Sequence, residues 1–209
     1  GFGPYLIAFA LGQAPYVALP VFLSRMFRHS AIYVRTDRGI EGPEDLRGRV
    51  VGTVEYQMSA VMWCRAFLKD DYDVQPHDMT WRQGGVNVYG RKEKFPLSLP
   101  KEFPLSPIRP GATLSGLLAD GELDAVFSPE APDCFGDPDV PVNRLFPDFG
   151  AAERDYYRRT GIFPIMHALG IRNDVAEAEP WLAANVYEAF SEAKRLADRD
   201  LFELRALKI

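Results

Sequence analysis

The chain has 209 residues, 47% of them hydrophobic and 25% charged, with a net charge of −5. These are globular proportions that exclude a disordered chain, and the acidic balance argues against nucleic acid or an anionic membrane as the main partner. No apolar run approaches the ~20 residues a membrane-spanning helix needs, and two cysteines, Cys64 and Cys134, are too few for a disulfide framework and fit a reducing compartment.

Residues 5–13 read as a short apolar helix with Pro4 near its first position. Residues 16–22 read as a buried strand that Pro20 bends or pushes to the periphery. A polar, Arg-rich connector, 24–30, leads to a clear strand at 31–35, where Ile32 and Val34 alternate with Tyr33 and Arg35. A turn at 42–48 precedes a strand at 49–54, a helix at 59–71 with an apolar face, and a short strand at 80–83 ending at Gly84-Gly85. This is the βαβ rhythm of a parallel sheet.

From 89 to 110 prolines and lysines break all periodicity, which predicts an irregular insertion or flap over the surface. Thr113 can cap a helix over 113–120 and Gly121 can end it. A strand returns at 124–128, followed by a turn-rich connector to Pro141. Residues 151–160 read as helix and 165–172 as a strand interrupted by Gly170. In the last helix, starting near Pro180, Leu182, Val186, Phe190, Ala193 and Ala197 recur at helical spacing and predict a buried face.

The strands 31–35 and 165–172 bracket a segment with its own β-α-β-α-β order. A chain that leaves one lobe, builds a second and returns needs two such crossing strands. The expected division is lobe 1 from 1–35 with 165–209, and lobe 2 from 36–164 with its insertion near 89–110. Both ends read as cut, so lobe 1 is expected to be truncated at each. The cleft between lobes is the default ligand site.

The densest chemical motif is Ser24-Arg25-Met26-Phe27-Arg28-His29-Ser30. Two guanidiniums suit carboxylates through bidentate pairing, and His moves protons near neutral pH. A solvated basic loop explains the same residues. The second motif, Val54-Glu55-Tyr56-Gln57-Met58-Ser59, joins strand to helix, where free N–H groups and the helix dipole attract anions. Gln57 and Ser59 would add side-chain donors, although Ser59 also fits a plain N-cap. His167 lies in an apolar strand, where a lone His is ordinarily a core residue. Gly84-Gly85 is too short to identify a phosphate loop. The spacing of the three histidines predicts no metal site.

At these motifs the chain resembles the 4,5-dihydroxyphthalate decarboxylases. The resemblance rests on 25–35 (Arg-Met-Phe-Arg-His-Ser-Ala-Ile-Tyr-Val-Arg), Glu55-Tyr56-Gln57-Met58, Gln83-Gly84-Gly85 and Phe163-Pro164-Ile165-Met166-His167. Less specific phrases at 43–48 and 118–125 resemble type II solute-binding proteins. The resemblance implies a two-lobed α/β fold of the periplasmic-binding-protein type II kind, with mostly parallel mixed sheets flanked by helices. It implies a bacterial, cytoplasmic carboxy-lyase that turns 4,5-dihydroxyphthalate into protocatechuate and CO2 in phthalate degradation, without an organic cofactor, and leaves room for a homo-oligomer. On that pattern Arg25 and Arg28 hold carboxylates, with Tyr56, Gln57, Ser59, Gly84 and Gly85 lining the substrate site. His29 or His167 is the general acid, and Glu55 or the other His the base. The rival reading is a periplasmic solute-binding protein of an ABC-type uptake system for an aromatic or other organic carboxylate. A weaker one is a relative of the pyrimidine-precursor synthases of the same fold, in which a His near the cleft would be consumed.

Overall fold

The strands expected at 31–35 and 124–128 lie side by side in one sheet in the computed structural model, which describes residues 1–93 and 98–203. In chain order the elements are α1 (Phe2–Ala10), β1 (Tyr16–Ala18), β2 (Ser24–Arg25), β3 (Ile32–Arg35), β4 (Val50–Thr53), α2 (Ser59–Tyr72), β5 (Thr80–Gln83), β6 (Leu105–Pro107) and α3 (Leu114–Ala119). Then follow β7 (Ala125–Phe127), β8 (Val142–Arg144), α4 (Phe149–Thr160), β9 (Ile165–His167), β10 (Gly170–Arg172), α5 (Asn173–Ala178) and α6 (Leu182–Glu203). They divide into two units, Gly1–Arg25 with Ile165–Ile209, and Met26–Pro164.

The second unit is built on a six-stranded mixed sheet of order β6-β5-β4-β7-β3-β8. The strands β6, β5, β4 and β7 run parallel, and β3 is antiparallel to both β7 and β8. Side chains alternate across it as the pleat requires. Ile32, Val34, Val51, Trp81, Ala125 and Phe127 share a core with α2 and with Tyr156 of α4. Tyr33 and Val126 share the opposite one with Leu114, Leu117 and Leu118 of α3. Helices therefore cover both faces of β4, the strand that carries the candidate site. Thr113 caps α3 as expected, its hydroxyl accepting from Gly116 N at 3.1 Å, and Gly121 follows at φ +77°. Gly52 is needed for close approach: a Cβ there would lie 2.9 Å from Leu123 Cδ1 and 3.0 Å from Leu114 Cδ2.

The first unit pairs β1 with β10 and β2 with β9, each antiparallel. The strand expected at 165–172 is thus two short strands with different partners, and the one expected at 16–22 ends at Ala18, two residues before Pro20.

Three other expectations are corrected. The strand 31–35, assigned to the first lobe, is hydrogen-bonded on both edges inside the second unit's sheet. The stretch 89–110 is not wholly irregular, because Leu105–Pro107 adds an edge strand to β5. An edge tolerates the proline, whose missing N–H has no inner neighbour to serve. Residues 94–97 of that stretch lie outside the described residues. Finally, the stripe of α6 forms no buried face: Leu182 and Val186 are half-buried, while Phe190, Ala193 and Ala197 are exposed. Periodicity reveals a stripe, not what covers it.

His29 belongs to the core of the second unit. It opens a 3₁₀ turn ahead of β3, is 2% exposed, and stacks on Phe67 with ring centroids 4.1 Å apart at 11°. Phe146 and Tyr156 flank it at 5.2 and 5.4 Å, and its Nδ1 is buried without a hydrogen-bond partner. Burial penalises the imidazolium and lowers the pKa to about 4; nearby Asp71 opposes this and Arg159 adds to it. The neutral ring is favoured by folding. Its stabilising contribution is about 3 kcal/mol, since each tenfold loss of proton affinity is worth ~1.4 kcal/mol. That contribution is complete above pH 6.5 and is lost as pH falls towards 4. Urea denaturation should show stability declining across that window, and His29→Phe should flatten the decline; equal slopes in both proteins would refute the assignment. Gly52→Ala should lower stability by ~1–3 kcal/mol through overpacking, read as a lower urea midpoint; an unchanged midpoint would show that α3 yields freely.

Candidate functional site

Two parallel strands, β4 and β5, end side by side, with Thr53 in register with Gln83. In open α/β sheets ligands gather at the carboxyl ends of such strands, where the turns present unpaired N–H groups. Here the turn from β4 into α2 carries Glu55, Tyr56 and Gln57, all under 8% exposed. Met58 N donates to Glu55 O at 3.1 Å, closing the turn. Met58, not Ser59, occupies the N-cap position; Ser59 is the first residue of α2 and is buried.

The neighbouring pair Gly84-Gly85 is held by close approach. A Cβ on Gly84 would meet Ile108 Cδ1 at 2.2 Å, and one on Gly85 would meet Val88 O at 1.6 Å. No side chain fits at Gly85 while the following loop folds back over it. That loop forms one wall of a cavity of about 460 Å³, whose lining includes Glu55, Gly85, Tyr89, Arg91, Lys92 and Glu130.

Charge is concentrated at this cavity. Arg91 donates to Glu55 Oε1 through Nε at 2.9 Å and Nη2 at 2.7 Å, which balances a carboxylate almost wholly removed from water. Two residues on, Glu93 Oε1 accepts from the backbone N–H groups of Tyr56 and Gln57. The anion position expected at this turn is therefore filled by the protein's own carboxylate. Burial raises the Glu93 pKa; its two N–H bonds oppose the rise, the Glu55 charge adds to it, and Arg65 opposes it.

Arg65, Arg91 and Glu93 escaped the reading of the sequence. Arg65 lies on α2 with its guanidinium 3.5 Å above the Tyr56 ring, and burial lowers its pKa. A signal existed, since an arginine at 65 interrupts the apolar stripe of Val61, Cys64 and Leu68. Arg91 and Glu93 lay in a stretch with no pattern to mark them.

The Arg/His motif is divided between the two units. Arg25 is exposed on β2 of the first unit, its guanidinium 4.8 Å over Phe22. Its neighbour Ser24 is in register with His167 on β9, whose side chain is exposed rather than in a core. Arg28, in the second unit, is half-buried. Burial lowers its pKa, and Cys64 and Glu153 oppose that. His29 is enclosed by aromatic rings, and neither it nor Arg28 lines the cavity. Phe67, Phe146 and Tyr156 pack against His29 on the core side. Among the described residues, no group of three or more His, Cys, Asp or Glu side chains is placed to hold a metal ion, and no helix is long and apolar enough to cross a membrane.

No protein-family model matches the sequence. The chain is 44% identical over 205 residues to the 4,5-dihydroxyphthalate decarboxylase of Comamonas testosteroni, covering 98% of this chain and 62% of that protein. It is 46% identical over 154 residues to the 4,5-dihydroxyphthalate decarboxylase of Pseudomonas putida, covering 74% of this chain and 60% of that protein. The chain thus spans about three fifths of the length of these curated relatives. Among solved structures, the periplasmic aliphatic sulphonate binding protein SsuA of Escherichia coli aligns with 97% of this chain and 56% of its own, at a TM-score of 0.49 and 16% identity. By sequence, the chain is similar to 4,5-dihydroxyphthalate decarboxylases over nearly its whole length and about three fifths of theirs.

Proposed function

We propose that this chain carries the reaction for which its relatives are named: removal of one carboxylate from 4,5-dihydroxyphthalate, giving 3,4-dihydroxybenzoate and CO2. The observation that carries the reading is the turn at the end of β4, where a buried acid, Glu55, stands beside two N–H groups that already hold a carboxylate. A base next to a carboxylate cradle suits a phenolic acid. The cations Arg91 and Lys92 on the cavity wall suit a dianion.

In this scheme the Tyr56 and Gln57 N–H groups bind one substrate carboxylate. Glu55 takes the proton of the ring hydroxyl para to the departing carboxylate. The phenolate raises electron density at the carbon bearing that carboxylate, which accepts a proton. The bond from ring to carboxylate then breaks, its electron pair restores the aromatic ring, and CO2 leaves. Glu55 returns its proton to the phenolate, so the net change is one proton taken up for each CO2 released. General acid–base participation of this kind supplies ~10²–10⁴-fold.

The test is to incubate the protein with 4,5-dihydroxyphthalate and follow 3,4-dihydroxybenzoate and CO2. We expect turnover that falls ~10²-fold or more in Glu55→Gln. His29→Phe, which refills the aromatic box, should lose far less than the ~10²-fold that removal of a general acid costs. Normal turnover in Glu55→Gln would remove it as the base. Saturable binding without any product would favour a binding protein for aromatic acids instead.

A further inference from the structure

The loop that walls the cavity makes two contacts of opposite sign within three residues: Arg91 neutralises Glu55, and Glu93 fills the N–H cradle of Tyr56 and Gln57. Each group it covers is one that the proposed reaction needs. The Glu93 contact is also incomplete, because its second oxygen, Oε2, is buried without a hydrogen-bond partner. Arg65, its guanidinium over the Tyr56 ring, likewise has a buried Nη1 with no hydrogen-bond partner. One carboxylate oxygen is well held while its twin is buried with no donor, an unfavourable position for a polar group. A ligand able to use both oxygens, and to reach Arg65 as well, would bind the same donors better than Glu93 does.

We propose that Glu93 is an internal pseudo-ligand: its carboxylate occupies the substrate-carboxylate position and is displaced when a substrate binds. The inference rests on the reading of the β4–α2 turn as the carboxylate subsite and adds how that subsite is regulated. While Glu93 is seated, Arg91 stays on Glu55, and base and cradle are masked together. A dianion that evicts Glu93 frees the loop, and Arg91 and Lys92 become available to its second charge. Monoanions replace one carboxylate with another and gain little, so the arrangement selects for dicarboxylates. The apparent affinity for substrate is reduced by the fraction of time the cradle is free.

Removing the pseudo-ligand's charge should therefore tighten binding. We would titrate phthalate and, separately, benzoate into the protein and into Glu93→Gln and Glu93→Ala, by calorimetry at one fixed salt concentration. The expected result is phthalate affinity raised ~10-fold in both variants, as for a cradle otherwise free about a tenth of the time. Benzoate affinity should rise by a similar factor from its lower starting value, because it competes with the same Glu93 carboxylate. Unchanged or weaker phthalate binding in both variants would overturn the proposal while leaving the subsite reading intact. Tighter carboxylate binding in a protein that never releases CO2 from 4,5-dihydroxyphthalate would support the pseudo-ligand and sink the decarboxylase reading. Absence of carboxylate binding in all three proteins would overturn both.

Discussion

Glu55 is 2% exposed at the carboxyl end of a central strand, and an ionised carboxylate so placed must be paired or it destabilises the fold. The loop after β5 supplies the partner, and much of the local structure follows from that need. Arg91 can reach Glu55 only if the chain doubles back after Gln83, which requires the close crossing of Val88 over Gly85. The same fold-back carries Glu93 to the start of α2, where its negative charge also meets the favourable end of the helix dipole. A single buried acid therefore accounts for one glycine, one ion pair and an occupied anion cradle.

The sheet explains why this acid sits where it does. Helices cover both faces of β4, so its side chains are spent on packing, and chemistry is available only where the strand ends. The parallel neighbour β5 ends at the same level, which places the turn at 55–57 beside the Gly84-Gly85 crossing. His29 lies at the N-terminal end of β3, but its surroundings differ. Phe67, Phe146 and Tyr156 hold it as a neutral core ring, with a pKa of about 4 that suits packing rather than proton transfer at neutral pH.

Much of the second unit could be read from local pattern. The strands at 31–35, 49–54, 80–83 and 124–128 stand out as short runs between turns, and the helices at 59–71 and 113–120 show a stripe, a cap or a closing glycine. Legibility failed where the deciding partner is remote. The strand Leu105–Pro107 sits among prolines and exists because β5 offers an edge. The environment of His29 depends on Phe67, Phe146 and Tyr156, all far along the chain, so two arginines and a histidine in five positions looked like one anion cluster. The Glu55-Tyr56-Gln57 turn was legible as an anion site because strand-to-helix turns carry free N–H groups whatever their tertiary setting. That an acid of the same chain fills it was not, since nothing local singles out Glu93.

The most direct test of this account watches the cradle itself. Amide ¹H–¹⁵N spectra would be recorded as 4,5-dihydroxyphthalate is titrated into the protein. The account predicts that the Tyr56 and Gln57 amides shift saturably, in step with the Arg91 Nε signal, as one carboxylate replaces another and the loop lets go of Glu55. If those signals stay fixed while the ligand binds and other amides move, the substrate carboxylate lies elsewhere and the cradle is a structural contact only.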